Sequence, residues 1–171
     1  MKINIYTDEN KFLMHTREYQ IIWQMEGEKI ENAFNKILGL NFNEKSIKLL
    51  INYGANDANL SGETKSEIMN FRYNNRSKIG TFLHELSHRI VMEYKLMEIA
   101  KKKFGIEEVH ELIDLFLYDI IELLYGSESA KLRVEYESNF EDEIYKKSWL
   151  KALSFTFEER QNILKKIKEE L

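Results

Sequence analysis

The sequence predicts an α+β fold, a small β-sheet packed on a helical bundle. Three observations lead there. Proline is wholly absent from the 171 residues, which fits a chain rich in helix. Apolar residues recur at three- and four-residue intervals through most of its length, the spacing of a helix buried along one face. Three short stretches in the first 73 residues read instead as strands, by alternation or by clustered β-formers. At this length one domain with a real core is expected. It divides into an N-terminal helix and small sheet (1–73), a central helix pair (74–125) and C-terminal helices (126–171).

Met1 to Tyr6 alternates weakly and reads as a short strand. Asn10 to Leu40 reads as a helix, with Phe12, Tyr19, Ile22, Trp23, Ile30, Phe34, Ile37 and Leu38 as its apolar stripe. Gly27 is a candidate break and Gly39 a plausible stop. His15 in this helix reads as a surface or interfacial residue. Ser46 to Tyr53 is the second strand. A polar connection, Gly54 to Gly62, follows. Lys65 to Tyr73 alternates, with Ile68, Asn70 and Arg72 on one side and Met69, Phe71 and Tyr73 on the other. These two strands are expected to pair as a hairpin. An edge of that sheet could take an extended peptide as an added strand; equally, the strands could simply cover a helix.

Asn74 to Ser77 is a turn, with Ser77 as a possible N-cap. A long helix then runs toward Lys103, carrying Leu83, Leu86, Ile90 and Met97. Lys101, Lys102 and Lys103 suit its C-terminus, where cations meet the negative end of the helix dipole. Gly105 ends this helix and Gly126 the next, Glu107 to Tyr125. Ser127 can cap a third, and Ala130 to Ser154 is mostly helical. Leu132, Val134, Tyr136, Phe140, Ile144, Tyr145, Trp149, Leu150 and Leu153 are its apolar set. The acidic stretch Glu135 to Glu143 reads as a solvated face. Thr156 and Glu159 form a capping box for the last helix.

The helix from Ser77 carries His84-Glu85-Leu86-Ser87-His88, a complete HExxH. Residues four apart share a helix face, so His84 and His88 can each give one imidazole to the same zinc ion. Glu85 stands beside the first ligand without competing for the metal, where it can take a proton from a zinc-activated water. The bland alternative is an amphipathic helix with two satisfied histidines and a solvated glutamate.

Catalytic zinc takes three protein ligands and keeps one position open. On a helical wheel of Glu107 to Tyr125, His110 falls within an apolar arc of Val109, Ile113, Phe116, Leu117, Ile120, Ile121 and Leu124. Glu108, Glu111, Asp119 and Glu122 fall on the opposite, water-facing side. His110 is therefore the third candidate ligand. Asp114, one turn later at the edge of the arc, is either a carboxylate that orients His110 or the ligand itself.

HELSH on one helix, followed by a ligand-bearing second helix, resembles the zincin metallopeptidases, and most of all the small gluzincin-type proteins of the ImmA/IrrE kind. His110, Asp114, Phe116 and Leu117 fall at steps where those proteins carry Glu, then Asn, then aromatic and apolar residues. The sequence departs in having His at the ligand position and in lacking an obvious appended DNA-binding module. The resemblance covers Ile68 to Tyr125 and implies a zincin-like fold and zinc chemistry, not a substrate.

Composition narrows the partners. A net charge of −4 argues against a general nucleic-acid binder. No cysteine is present, so neither disulfides nor thiolate metal sites are available. The first residues lack the apolar core of a signal peptide, and no apolar run is long enough to span a membrane. A cytoplasmic protein is the expectation. The expected function is zinc-dependent hydrolysis of a peptide bond in a protein or peptide substrate, which could be one dedicated partner, with Glu85 as general base. Tyr94, Tyr118, Tyr125 and Tyr136 are the tyrosines considered as donors to the developing oxyanion. The alternative is a non-catalytic, zincin-like protein-binding domain with a structural metal or none.

Overall fold

The computed structural model describes residues 1–7, 10–43, 46–51, 67–68 and 75–171. Strand β1 (Lys2–Tyr6) leads through a 3-10 turn (Asn10–Phe12) into helix α1 (Leu13–Leu38). Strands β2 (Ser46–Ile51) and β3 (Glu67–Ile68) follow. Six further helices complete the described chain: α2 (Asn75–Glu93), α3 (Leu96–Phe104), α4 (Val109–Tyr125), α5 (Ser127–Ser138), α6 (Glu143–Leu153) and α7 (Phe157–Lys168). The polar connection expected at 54–62, and most of the alternating segment expected at 65–73, lie outside the described residues.

Helices carry this fold, and the expected α+β architecture is corrected to a helical one. The strands form only a narrow edge, in the order β1-β2-β3, and β3 is two residues long. The expected hairpin is corrected as well, since β2 and β3 run parallel, Ile51 beside Ile68. β1 and β2 are parallel too, Ile3 beside Ile47. A parallel pair needs a long crossover rather than a tight turn, and α1 supplies it between β1 and β2. Alternation defines the faces of a strand but not the direction of its neighbour, so the sequence pattern could not distinguish the two.

α1 passes unbroken through Gly27, where a side chain would meet the Trp23 ring at 3.0 Å. Glycine there makes room for the indole. α1 stops as expected at Gly39, whose φ of 65° is left-handed and whose N–H donates to the Asn35 carbonyl. The expected helix from Ser77 to Lys103 is two helices. Lys95 takes a left-handed φ of 51° and separates α2 from α3. Ser77 lies inside α2 rather than at its cap. The C-terminal segment also divides. Asp142 caps α6 by accepting from the Ile144 N–H at 3.0 Å, and the capping box of Thr156 and Glu159 starts α7.

α4 is the central helix, packed by α1, α2, α3, α5, α6 and α7. Leu112, Ile113, Leu115, Phe116, Leu117, Ile120 and Ile121 are all buried, so its apolar surface extends around most of the helix. This corrects the outward placement of Asp119. The residue is buried and holds Arg160 of α7 through two contacts, Nη2 to Oδ1 at 2.5 Å and Nε to Oδ2 at 3.2 Å. Phe34 of α1, Phe82 and Leu83 of α2, and Trp149 of α6 complete the core around it. Each such side chain contributes roughly 1.5–3 kcal/mol on burial. Among the described residues no helix is long and apolar enough to cross a membrane.

Candidate metal centre

α2 and α4 meet so that the middle of the first faces the start of the second. This contact brings His84, His88 and His110 together, each offering one nitrogen within 4.8 Å of the others. The α2 pair is the closest, with the two Nε2 atoms 3.1 Å apart. Both rings lie 5.2 Å, centroid to centroid, from His110. Two nitrogens bound to one tetrahedral zinc at its usual bond lengths stand about 3.3 Å apart, so the α2 pair is already near the spacing of a shared ion.

The remaining ring nitrogen of His84 identifies a residue that the sequence reading missed. His84 Nδ1 stands 3.0 Å from Glu137 Oε1 of α5, in hydrogen-bond range though not ideally aligned. Glu137 is 1% exposed and is the exception within the solvated face expected for Glu135 to Glu143, whose Glu135, Glu141, Asp142 and Glu143 are exposed. Trp149 donates its indole N–H to Glu137 Oε2 at 2.7 Å, and Arg133 forms a very short contact with Oε1. Burial alone would push the Glu137 carboxyl up. Arg133, His84 and Trp149 together outweigh burial and hold it at about 2, so Glu137 is an anion. A carboxylate on Nδ1 favours a proton there and leaves the Nε2 lone pair free for a metal. The sequence signal was the Ala130, Arg133, Glu137 spacing. These three are the buried residues of α5, in the i, i+3, i+7 pattern that apolar residues usually fill.

The donor set fits zinc. Burial and the neighbouring His84 lower His88 to about 2 and His110 to about 4. Both are therefore neutral imidazoles at neutral pH, the form that binds metal. The cluster of potential ligands does not include Asp114. That residue is 1% exposed and accepts from Ser148 of α6 at 2.5 Å, while its other oxygen, Oδ1, lacks a hydrogen-bond partner among the described residues. The described contacts thus direct its carboxylate to α6 rather than to His110.

Glu85 is buried and its Oε2 has no hydrogen-bond partner among the described residues. Burial, reinforced by Glu137 and opposed by Arg133, raises its carboxyl well above the usual range. None of the four tyrosines considered from sequence has a described contact with the three imidazoles. Tyr94 donates to the Asn41 carbonyl at 2.7 Å, and Tyr118 lies under Arg160. Tyr136 packs edge-on against Phe140. Tyr125, Tyr136, Leu83, Ile121, Leu132 and Arg133 help line a neighbouring cleft of about 660 Å³. The tyrosine at the centre is Tyr145 of α6, expected only as an apolar residue. Its ring is 4.5 Å from that of His110 and 6.3 Å from that of His84. Burial and the charges of Glu137 and Glu85 raise its hydroxyl to about 12, so it remains protonated as a donor. No family model, curated protein or solved structure matches this chain.

Proposed function

We propose that the protein is a zinc-dependent metallopeptidase hydrolysing a peptide bond in a protein or peptide substrate, as the resemblance of its HELSH helix to zincin peptidases implies. The observation that carries this reading is the convergence of three imidazoles, two of them on the helix that also bears Glu85. His84, His88 and His110 would hold the ion. When bound, zinc polarises the scissile carbonyl and makes water acidic enough to lose a proton near neutrality. Glu137, 3.0 Å from His84 Nδ1, would accept a hydrogen bond from it and fix that ring. Glu85 receives the proton of the attacking water on its carboxylate and delivers it to the leaving amine. Its raised proton affinity suits an acceptor, and a divalent cation on the adjacent imidazoles would favour its ionised form. Tyr145 donates its hydroxyl to the oxygen on which negative charge develops. A cytoplasmic location belongs to the same proposal.

Glu85→Gln tests it. The variant keeps the shape of the side chain and removes the base, so it should retain about one zinc per chain while hydrolysis of a denatured protein substrate falls by several orders of magnitude. No zinc on the wild-type protein after incubation with the ion, measured by elemental analysis, would refute the metalloenzyme reading. The burial of Glu85 favours a second reading, a non-catalytic partner-binding domain with a structural metal or none. Zinc that is retained equally by wild type and Glu85→Gln, with no hydrolysis by either, would select it.

A further inference from the structure

Three buried carboxyl groups, Glu85, Asp114 and Glu137, lie within the electrostatic reach of one buried cation, Arg133. The guanidinium makes a short contact with only one of them. Its Nη2 donates to Glu137, while Nη1 reaches Thr81 Oγ1 at 3.4 Å and Nε has no hydrogen-bond partner among the described residues. The Tyr136 ring covers its other side, 5.4 Å from Cζ. Arg133 can lie this close to α2 because residue 80 is glycine. A Cβ at Gly80 would stand 3.0 Å from Arg133 Cδ, 3.1 Å from Nη1 and 3.3 Å from Nε, tighter than ordinary packing. Gly80 is one helical turn before His84, and Arg133 is one turn before Glu137. The two helices therefore meet through a glycine–arginine contact directly beside the histidine–carboxylate contact.

We propose that Arg133 is a positioning residue of the metal centre, seated on Gly80 and acting through Glu137 to keep His84 in the tautomer that presents Nε2 to the ion. The proposal deepens the metalloenzyme reading and rests on it for the ligand role of His84. Without Arg133, Glu137 loses its only cationic partner among the described contacts. Its carboxyl can then turn, and His84 Nδ1 loses a fixed acceptor. The arrangement is a third layer behind the ligand, in which a cation orders the carboxylate that orders the imidazole.

The test uses full-length Arg133→Met, Gly80→Ala and Arg160→Met. The last removes an equally buried arginine paired with Asp119, remote from the three imidazoles. Two measurements are made on each: the His84 tautomer in metal-free protein, by nitrogen–proton correlation NMR, and zinc affinity by competition with a chromogenic chelator. Wild type should carry its His84 proton on Nδ1. Arg133→Met should shift the population toward the Nε2 proton and weaken zinc about ten- to a hundredfold. Gly80→Ala, the milder change, should move both in the same direction by a few-fold. Arg160→Met should lower thermal stability and leave both readings at wild-type values. Unchanged tautomer and affinity in folded Arg133→Met and Gly80→Ala, or an equal loss in Arg160→Met, would overturn the proposal. If wild type binds no zinc, the metalloenzyme reading fails by itself. The tautomer measurement still decides whether Arg133 governs His84.

Discussion

Glu137→Gln separates the structural from the metal-directed role of the buried anion. Glutamine preserves volume and one acceptor oxygen but removes the charge opposite Arg133. Both partners are almost fully buried, at 1% and 7% side-chain exposure, so little solvent screening softens the loss. Removing one member of a buried ion pair costs about 3–5 kcal/mol. For a domain of this size each kcal/mol shifts the melting temperature by roughly 2–4 °C. The metal-free variant should therefore melt about 6–20 °C below metal-free wild type. Zinc should also bind about ten- to a hundredfold more weakly, equivalent to about 1.4–2.7 kcal/mol. Saturating zinc should thus stabilise the variant less than it stabilises wild type. Differential scanning calorimetry with chelator and with excess zinc measures both quantities. Wild-type zinc affinity in the folded variant would refute the argument that Glu137 orients His84. A melting shift below about 2 °C would refute the burial argument.

Other outcomes test the centre from different sides. His110→Ala should lose most of the bound zinc, whereas Asp114→Asn should keep it, because the described partner of Asp114 is Ser148; zinc titrations showing the reverse order would make Asp114 the ligand. Tyr145→Phe should leave zinc affinity unchanged and lower kcat about ten- to a thousandfold, and an unaltered kcat would remove Tyr145 from the mechanism. Acidification gives a fourth test. The pKa of His110 is depressed on folding, so below about 6.5 the unfolded chain takes up a proton that the folded chain refuses. That stability is lost as pH falls from about 6.5 toward about 4. Glu85 and Asp114, both raised, act in the opposite sense, so the informative quantity is a difference between proteins. Metal-free His110→Gln should gain on wild type by up to about 1.4 kcal/mol per pH unit across this window. Urea titrations giving a constant difference would contradict the burial-driven shift.

The legible part of this molecule was the part encoded by local spacing. Two histidines four residues apart on one helix needed only the helical repeat, and His110 followed from its place in an apolar arc. The stops at Gly39, Gly105 and Gly126 and the capping box at Thr156 were equally local. Failures came where partners were distant in the chain. Glu137 read as solvated because its neighbours are acidic and polar; Arg133 stands one turn away on the same helix, but His84 and Trp149 reach it only when α2 and α6 pack against α5. Asp119 read as outward-facing because the wheel assumed one buried face, whereas α4 is enclosed on several sides. Tyr145 was counted with the apolar residues, its hydroxyl having no visible role until its ring met His110. The strand edge misled most. Short β-forming runs do not reveal that helices dominate the architecture, and alternation does not encode parallel pairing.

That parallel pairing has a consequence for the order of assembly. β1 cannot find β2 through a local turn, because α1 separates them along the chain, whereas α4, α5 and α6 are joined by short links and can associate while still neighbours in sequence. Contacts closing long loops form late, since the entropy of closure is spent before they return anything. The helical C-terminal half is thus expected to be the early-folding part, with the N-terminal strands docking afterwards. The same asymmetry should persist in the native state, where brief openings begin at the β1–β2 edge. Amide hydrogens of Ile3 and Ile5 should exchange with solvent orders of magnitude faster than those of Phe116 and Ile120, and a nicking protease should find the N-terminal third before it finds the bundle.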